Sequence, residues 1–565
     1  MDLMELAIRR GFIYPAFEIY GGISGFYDYG PLGATMKKNI EDIWREVYCI
    51  GEGYLEIFSP TIAPEEVFIA SGHVKNFVDP MVECKKCKQA FRADHLIEAN
   101  ADISINLSGL SFEELEKIIR EKNIRCPECG GELGKVESYN LMFKTHIGPG
   151  SKKVGYLRPE TAQAMFILFP RLYGFYRKKL PFGVAQIGKA YRNEISPRQG
   201  VIRLREFTQA EVEIFVDPRK KTHKNFEKVK DYVLKLLPRD KDKEIDINLK
   251  KAVEEKILPH EMLAYQLYLV ERFLLTLGIK KEKIRFRQHK KNEMAHYAED
   301  CWDAEILTER FGWIEVVGIA DRTDYDLKAH ERLSKVEMKA FIGYKEPKKI
   351  KKLVLEPNLA KLGPEFKEKT KEIVEKIKNL SEEEILKFKE SKTIEIEDFK
   401  LTEEYVTLKE IEETISGEKI TPHVIEPSFG IDRILYCVLE SSYREREGRR
   451  ILSLKPKVAP VKFAVFPLLE REELVKLAEG IFNELRSLNY IGVFDSSDSI
   501  GRRYARVDEI GVPFSITVDF DSLKDKTVTI RERDSMKQVR AKIDELPEII
   551  KGLIEEKLRF EDISS

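Results

Sequence analysis

The sequence has almost no net charge and no long apolar segment. Lys and Arg total 96 against 97 Asp and Glu, so the formal charge of −1 gives no argument for a nucleic-acid partner, although the total can hide local basic stripes. The amino-terminal stretch has no long apolar core, and no stretch approaches about 18 consecutive apolar residues. We therefore expect neither a signal peptide nor a membrane span, and a cytoplasmic location.

Cysteine is also scarce, with seven in 565 residues, and four of the seven form two CxxC pairs. An odd, clustered set fits a reducing compartment and a metal better than a disulfide framework. Each CxxC turn can bring two sulfurs to one point, so the pairs can supply four thiolates to one tetrahedral Zn²⁺ with no open position. We expect a structural zinc, with four buried free cysteines as the alternative; the ligands would be Cys84, Cys87, Cys126 and Cys129.

The chain is several times longer than the roughly 100–150 residues of one domain, so more than one core is expected. Residues 34–50 have the spacing of an amphipathic helix, and Ser111 with Glu114 forms a capping-box pattern. Residues 183–216 alternate as two antiparallel strands joined by a polar turn at 193–199. Beyond residue 460 the pattern predicts strands at 461–467, 490–494, 514–519 and 526–531 and helices at 471–488, 499–510 and 534–557, as in a compact α/β domain.

Five residues near the end of the predicted hairpin share one strand parity: Arg203, Arg205, Phe207, Glu211 and Glu213. Guanidinium groups can grip phosphate in a bidentate fork. An aromatic ring can stack on a base, and carboxylates can hold an ammonium group. The alternative is a salt-bridged surface strand, which is the commoner meaning of such a face.

The stretches RNEISPR at 192–198 and RLREFTQAEVE at 203–213 resemble motif 2 of class II aminoacyl-tRNA synthetases, in the form found in glycyl-tRNA synthetases. Other stretches match the same family in order, and the resemblance covers essentially the whole chain. They are GPLG at 30–33 with the helix and Pro60-ended strand that follow it, then 155–163, 313–322, and 426–433, which is similar to motif 3.

The resemblance implies an α+β catalytic domain built on an antiparallel β-sheet, with zinc-ribbon and helical insertions and a C-terminal α/β anticodon-binding domain. The charge-rich regions are interpreted as solvated helical insertions. The expected divisions are 1–83, the catalytic core with motif 1; 84–140, the zinc insertion; 141–217, the core with motif 2; 218–290, a charged helical insertion; 291–344, catalytic core; 345–420, a second charged insertion; 421–456, motif 3; and 457–565, the anticodon-binding domain.

By resemblance, the reaction joins ATP and glycine to glycyl-adenylate, releases pyrophosphate, and transfers glycine to the 3′ end of tRNA(Gly). Arg192 and Arg433 would be catalytic, on the α- and γ-phosphates. Glu194 would receive the adenine amino group, Phe207 would stack under adenine, and Glu315 would bind Mg²⁺. The ATP-binding set implied is Arg192, Asn193, Glu194, Ile202, Arg203, Leu204, Arg205, Glu206, Phe207, Glu315, Val316, Gly430 and Arg433.

Glycine has no side chain to grasp, so its selection rests on its ammonium group and on filling the space that a Cβ would need. By resemblance, Glu160, Glu211 and Glu426 surround the ammonium, and Ser428 narrows the pocket. A pocket excludes a larger substrate by sterics more easily than a smaller one. Because no amino acid is smaller than glycine, no editing domain is required. The glycine-binding set implied is Arg92, Glu160, Phe207, Thr208, Gln209, Ala210, Glu211, Glu426 and Ser428.

The resemblance also implies a homodimer built by motif 1 and an anticodon-binding surface in the C-terminal domain. Two other classes of function stay open: a catalytically inactive paralogue that serves as a binding subunit, and a sister synthetase for Thr, Pro, Ser or His. The ATP-gripping residues argue against the first, and the three glutamates with Ser428 argue against the second. Tentative tRNA contacts are Arg502, Arg503, Arg506, Arg531 and Arg533.

Overall fold

The chain is described by a computed structural model and divides into two compact units, Met1–Met338 with Pro422–Ser565, and Lys339–Thr421. Nothing is described for the predicted turn residues Arg198 and Gln199. The described residues are 3–100, 107, 110–150, 152–197, 200–291, 293–294, 298–396 and 399–563, apart from the side chain of Glu382.

A nine-stranded sheet, mostly antiparallel, forms the centre of the first unit. Parallel pairing occurs only at two places among its described strands, Val233–Leu237 with Ile284–Gln288 and Leu55–Glu56 with Phe182–Tyr191. Its strands, in spatial order, are Ile245–Asn248, Val233–Leu237, Ile284–Gln288, Asp300–Thr308, Gly312–Thr323, His423–Gly430, Glu206–Val216, Phe182–Tyr191 and Leu55–Glu56.

The predicted hairpin is confirmed in this sheet as strands Phe182–Tyr191 and Glu206–Val216, which pair antiparallel. The second strand begins at Glu206, so Arg203 and Arg205 precede it in irregular structure. Strand alternation therefore applies to Phe207, Glu211 and Glu213 but not to the two arginines. The expectation of one face carrying all five residues is corrected accordingly.

The predicted amphipathic helix is present but begins earlier, as Pro31–Arg45, and continues as one π-helical turn over Glu46–Gly51. Proline suits the first turn of a helix, where its missing N–H would have no partner. Trp44 is fully buried, and its ring meets that of Phe429 edge-on at 6.0 Å. This contact ties the helix to strand His423–Gly430, one of the strands that carry the site.

The expectation of a solvated helical insertion over 218–290 is wrong. Three short strands in this region extend the central sheet, and helix Glu261–Thr276 buries eleven side chains in the core. The alternating strand residues Leu234 and Leu236 are fully buried although the charged Lys235 separates them. Sheet pairing, rather than local charge, decides the structure of this region.

The cysteine pairs lie in a small lobe with its own core. Its sheet has the order Ala90–Arg92, Val78–Cys84, Leu133–Asn140, and the helices Ala93–Asn100 and Phe112–Glu121 accompany it. The predicted capping box is confirmed: the backbone N–H of Glu114 donates to the Ser111 hydroxyl, and the N–H of Ser111 donates to the Glu114 carboxylate.

The C-terminal α/β region is confirmed, with one correction. Residues 534–557 were predicted to be one helix, but Gln538–Lys542 forms an edge strand before helix Leu546–Ile554. Its sheet runs Gly492–Phe494, Phe463–Pro467, Phe514–Val518, Thr527–Glu532 and Gln538–Lys542, with helices Glu472–Arg486, Ile500–Glu509, Phe520–Asp525 and Leu546–Ile554.

The second unit is only partly helical, which corrects the expectation for 345–420. A long antiparallel ribbon of Ala340–Pro357 and Val406–Ile420 carries it, and lysines on one strand face glutamates on the other, as in the Lys351–Glu410 ion pair of 2.8 Å. The remaining elements are helices Leu359–Phe366, Thr370–Lys378 and Glu382–Ser391 and the hairpin Thr393–Ile396 with Phe399–Thr402.

Shorter elements complete the first unit. Within the described part of the chain, none of the helices has the length and apolar character needed to cross a membrane. The shorter helices are Leu3–Arg9, Glu65–Ala70, His73–Asn76, Ala162–Ile167, Phe169–Phe175, Phe226–Val229, Leu249–Glu254, Tyr325–Ser334 and Ile431–Ser442, and the shorter strands are Ile13–Pro15, Tyr27–Tyr29, Ile62–Pro64, Lys144–His146, Val154–Leu157, Tyr443–Arg446 and Arg449–Leu452.

Candidate active site

A cavity of about 310 Å³ opens over the strands Glu206–Val216, Gly312–Thr323 and His423–Gly430. It brings together most of the residues expected from the sequence to bind ATP or glycine. Those that line it are Glu160, Arg192, Glu194, Ile202, Arg203, Leu204, Phe207, Gln209, Glu211, Glu315, Val316, Glu426, Ser428, Gly430 and Arg433.

Four residues expected in the site on strand Glu206–Val216 or just before it lie outside this lining. Thr208 and Ala210 have the parity opposite to Phe207, Gln209 and Glu211, so they face the other side of the sheet. Glu206 forms an ion pair with Lys189 at 3.2 Å. Arg205 donates to the carbonyl oxygens of Ser24 at 2.7 Å and Glu194 at 2.9 Å, which fixes the loop that leads into the strand.

Two further expected residues, Asn193 and Arg92, also lie beside the cavity rather than on its wall. The amide of Asn193 donates to the Tyr139 hydroxyl at 2.6 Å. Arg92 forms ion pairs with Asp79 at 3.0 Å and Asp94 at 2.6 Å. The Asn193 contact joins the segment before strand Glu206–Val216 to the cysteine lobe, whereas both ion pairs of Arg92 lie within that lobe.

One group of cavity residues is a buried set of carboxylates around one guanidinium group. Arg322 is 1% exposed and donates through one terminal nitrogen to both oxygens of Glu426, at 3.0 and 3.1 Å. Its Nε donates to Asp326 at 2.9 Å, and its other terminal nitrogen lies 3.5 Å from Glu160. Arg322 therefore fixes the position of two cavity carboxylates while neutralising part of their charge.

Glu211 is held from two sides. The backbone N–H of Thr161 donates to one oxygen at 2.9 Å, the Thr161 hydroxyl donates to the same oxygen, and the Ser428 hydroxyl donates to the other at 2.5 Å. The Gln209 amide lies 3.5 Å from the Ser428 oxygen. Ser428 is thereby held against Glu211 at the wall of the cavity.

The pKa values of these acids are pushed apart. Burial raises the pKa of Glu426 to about 7, and the charges of Glu211 and Glu160 add to this effect while Arg322 opposes it. Burial and then the charge of Glu160 raise the pKa of Glu211. Burial also disfavours ionisation of Glu160, but Arg322 and His73 outweigh it and lower its pKa. Such divergence is typical of functional sites.

A second group of cavity residues is rich in arginine. The Arg192 guanidinium lies between two aromatic rings, 5.4 Å from the centroid of Phe77 and 5.3 Å from that of Phe207. Arg433 donates to the backbone oxygens of Ile202 and Glu315, both at 2.9 Å. These contacts orient both guanidinium groups in advance, which is what electrostatic stabilisation of a charged transition state requires.

Several contributors to the site were not predicted. Arg322, Thr161 and Gln163, whose amide donates to Glu160 at 2.8 Å, lie inside stretches that resemble the family. An arginine followed four residues later by an aspartate, Asp326, is the signal that the sequence alone offers for the ion pair. His73 reaches Glu160 from a separate helix, at 3.7 Å, and carries no such signal. His289, Cys301 and Asp303, which were also not predicted, line the cavity as well.

The four cysteines of the CxxC pairs form one cluster, with all four sulfurs within 4.8 Å of one another. The Sγ atoms of Cys84 and Cys129 are 3.6 Å apart, as are those of Cys87 and Cys126. A tetrahedron with Zn–S bonds of about 2.3 Å has edges of about 3.8 Å. A Cβ at Gly131 would come within 3.2 Å of two of these sulfurs. The donor set and its spacing therefore fit zinc.

The arginines expected to contact tRNA divide into two groups. Arg503, Arg531 and Arg533 are buried, so they are not available as phosphate contacts, contrary to expectation. Arg503 and Arg533 donate to backbone carbonyl groups, and Arg531 forms a paired contact with Asp508 at 2.9 Å. The two that reach the surface, Arg502 and Arg506, form ion pairs with Asp498.

Comparison with known proteins agrees with this geometry. A family model described as the tRNA synthetase class II core domain (G, H, P, S and T) matches residues 149–442, and one described as an anticodon binding domain matches residues 462–553. A glycine–tRNA ligase of Methanocaldococcus jannaschii is 55% identical over 98% of this chain and 99% of its own. That of Pyrococcus furiosus is 53% identical over 98% of both. The chain belongs to the glycine–tRNA ligase family.

Solved structures support the fold of this glycine–tRNA ligase family member at lower identity. A Giardia lamblia prolyl-tRNA synthetase covers 98% of this chain and 78% of its own, with a TM-score of 0.54 and 13% identity. A Cryptosporidium parvum threonyl-tRNA synthetase structure covers 98% of both chains, with a TM-score of 0.54 and 14% identity. The likeness confirms the expected class II architecture, while family membership separates the chain from these sister synthetases.

Proposed function

We propose that this chain activates glycine with ATP to glycyl-adenylate, releasing pyrophosphate, and transfers the glycyl group to tRNA(Gly). One observation carries the proposal: a buried carboxylate pocket narrowed by Ser428 opens into the same cavity as two pre-oriented arginines. The carboxylates suit an amine, and the arginines suit phosphates. The cavity therefore has complementary ends for a small amino acid and a nucleotide.

At the glycine end, the substrate ammonium is bound by the carboxylates of Glu160, Glu211 and Glu426. The Arg322 guanidinium offsets part of their combined negative charge. The hydrogen bond from Ser428 to Glu211 places the serine at 2.5 Å from that carboxylate, where it occupies the space of a larger substrate's side chain. Selection is steric, because every other standard amino acid carries a Cβ. A substrate smaller than glycine does not exist, so no editing step is needed.

At the nucleotide end, adenine stacks on Phe207 and its amino group is received by Glu194. Arg192 contacts the α-phosphate, where charge builds during attack by the glycine carboxylate, and Arg433 contacts the γ-phosphate. Positioning and electrostatic stabilisation carry most of such a phosphoryl reaction. Mg²⁺ would bind Glu315, a half-exposed hard oxygen donor beside Arg433, and would neutralise phosphate charge there. The charges of Arg433 and Arg192 lower the pKa of the Glu315 carboxyl group.

A glycine-dependent ATP–pyrophosphate exchange assay tests the proposal. Exchange is expected with glycine and not with alanine, serine, proline or threonine at equal concentration. An inactive paralogue would give no exchange with any amino acid, and a sister synthetase would give exchange with a different one. Charging of tRNA(Gly) transcript then tests the second step separately.

The pH dependence of the first step should report the ionisation of Glu426. A protonated carboxyl cannot hold an ammonium by charge, so kcat/KM for glycine should fall by about tenfold per pH unit below about 7 and level off above it. The measurement is exchange at limiting glycine across this range, with kcat/KM for ATP as the internal comparison. In E426Q the inflection should disappear; an inflection that persists there belongs to another group.

Zinc would be held by Cys84, Cys87, Cys126 and Cys129 and would supply a structural cross-link for the small lobe. Because structural zinc contributes about 10–16 kcal/mol in zinc-finger peptides, C126S should lose most of its bound zinc and unfold at a lower temperature. Zinc content per chain and thermal unfolding are the measurements. C49S, which removes a cysteine outside the cluster, is the matched control; equal zinc in both variants would contradict the assignment.

The remaining assignments concern assembly and location. The amino-terminal core exposes large apolar side chains, among them Ile19, Tyr20, Ile50 and Phe58, each more than three-quarters exposed. Exposed large apolar side chains are common at interaction surfaces, so we assign these residues to a homodimer interface. Sedimentation at the 65.6 kDa mass of one chain would contradict the dimer. The anticodon-binding region faces tRNA(Gly), with Arg502 and Arg506 as the remaining surface contacts, and the location is cytoplasmic.

A further inference from the structure

Glu213 is a carboxyl group that the proposed mechanism does not use. Its side chain is 0% exposed, and neither of its oxygens accepts a hydrogen bond from any donor in the described part of the chain. It does not line the cavity, but its carboxyl lies within 4.8 Å of those of Glu211 and Glu426. A buried ionised carboxylate without donors carries a large desolvation cost.

The strand register places Glu213 directly opposite Glu426. Glu211 pairs with Ser428 and Ile214 pairs with Ile425 on the neighbouring strand, so continuing the same register sets Glu213 against Glu426. Two like charges opposite one another on adjacent strands repel. On its other side Glu213 pairs with Val184, which offers no charge to compensate.

The charges around Glu213 cannot balance if every acid is ionised. Apart from the buried Arg158 guanidinium, which interacts with Glu211, the described ionisable groups around this buried set come from six segments and include one permanent cation. They are Glu211 on the same strand, Glu426 on strand His423–Gly430, Arg322 on strand Gly312–Thr323, Asp326 on helix Tyr325–Ser334, Glu160 before helix Ala162–Ile167, and His73, which contacts Glu160.

We propose that Glu213 holds a proton and donates a hydrogen bond to the Glu426 carboxylate, which makes it a positioning residue for the ammonium site. A neutral carboxyl removes the repulsion across the two strands and supplies the donor that the register demands. The pKa of Glu213 is raised well above its ordinary value, first by burial and then by the charge of Glu426, in agreement with this state.

The proton on Glu213 also affects how the substrate binds. Glu426 accepts from Arg322 with both oxygens, and a hydrogen bond from Glu213 would fix the carboxylate plane from a second direction. Its remaining lone pairs then point to the cavity without rearrangement. Glu213 thus tunes the affinity for glycine without touching it, and has no contact by which to alter the affinity for ATP.

The test compares E213Q with E213M, and it rests on the proposed glycine activation for its kinetic arm. Glutamine keeps a neutral donor in the same place, so its glycine KM should stay within about threefold of wild type, whereas methionine removes the donor and should raise that KM by about tenfold or more. The ATP KM should not change in either variant. Thermal unfolding of both variants shows whether a raised KM comes from a misfolded protein or from a displaced Glu426 side chain.

Infrared difference spectroscopy supplies an arm that does not depend on catalysis. Wild type minus E213Q should show the carbonyl stretch of a protonated carboxylic acid that persists at neutral pH. Absence of that band overturns the proposal, as does an E213Q glycine KM raised as far as that of E213M, or an E213M glycine KM equal to wild type. If wild type lacks glycine-dependent exchange, the proposed function fails, and the infrared band still decides the protonation of Glu213.

Discussion

Replacing Glu426 with alanine should raise the glycine KM by about 10²–10³-fold while the ATP KM stays within about threefold. Arg322 donates hydrogen bonds to both oxygens of the Glu426 carboxylate, at 3.0 and 3.1 Å. Its removal takes away one acceptor for the substrate ammonium and leaves a buried guanidinium partly unpaired. Both effects weaken the glycine end of the cavity and leave the nucleotide end intact.

The measurement is ATP–pyrophosphate exchange, first with glycine varied at saturating ATP and then with ATP varied at saturating glycine. E426Q keeps the size of the side chain and should lose nearly as much glycine affinity, because the lost charge dominates. E445A removes an exposed glutamate from strand Tyr443–Arg446 and serves as the control, with both KM values unchanged. Equal losses for glycine and ATP in E426A would refute the assigned role.

Replacing Arg192 with alanine should lower kcat for adenylate formation by about 10²–10³-fold, the effect of removing one pre-oriented donor from a charged transition state. Its guanidinium is held over the rings of Phe77 and Phe207, and its Nε lies 3.3 Å from the Pro159 carbonyl oxygen. Because the Arg192 guanidinium is already oriented, it needs little reorganisation when charge builds on the α-phosphate. R192K keeps the charge but loses the fork, so it should recover only part of the rate.

Single-turnover formation of glycyl-adenylate separates this loss from changes in later steps. R559A is the control, since Arg559 pairs with Asp562 at the far end of the C-terminal region and should leave the rate unchanged. If R192A raised the KM values but kept the full single-turnover rate, Arg192 would be a binding residue only.

Local pattern was enough to predict several elements. The hairpin of Phe182–Tyr191 and Glu206–Val216 follows from alternation, and the Ser111 cap follows from two residues three positions apart. Prediction failed where the partner strand lies far away in sequence. Val233–Leu237 looks like part of a charged helix, but it pairs with Ile284–Gln288 and becomes part of the sheet.

In the site, too, the sequence predicted which residues are involved but not how each is oriented. The arginines and glutamates were identifiable as a set through the resemblance of their motifs to the synthetase family, because strand parity alone left a salt-bridged surface strand as the commoner alternative. Their separate orientations were not: Arg203 reaches the cavity, whereas Arg205, two residues later, binds the carbonyl of Ser24. The buried state of Arg503 was also invisible, since an arginine-rich helix has the same pattern whether its charges face solvent or backbone oxygens.

The sequence by itself determined the family, the order of the motifs, the two cysteine pairs and the identities of the acids and arginines, because these depend on residue type and spacing along the chain. The tertiary structure alone decided which of them meet. Strand pairing over about two hundred residues sets Glu213 against Glu426 and places Arg322 beside both. The balance of charge in the pocket arises from that meeting, since burial and mutual distance control ionisation and neither is encoded locally.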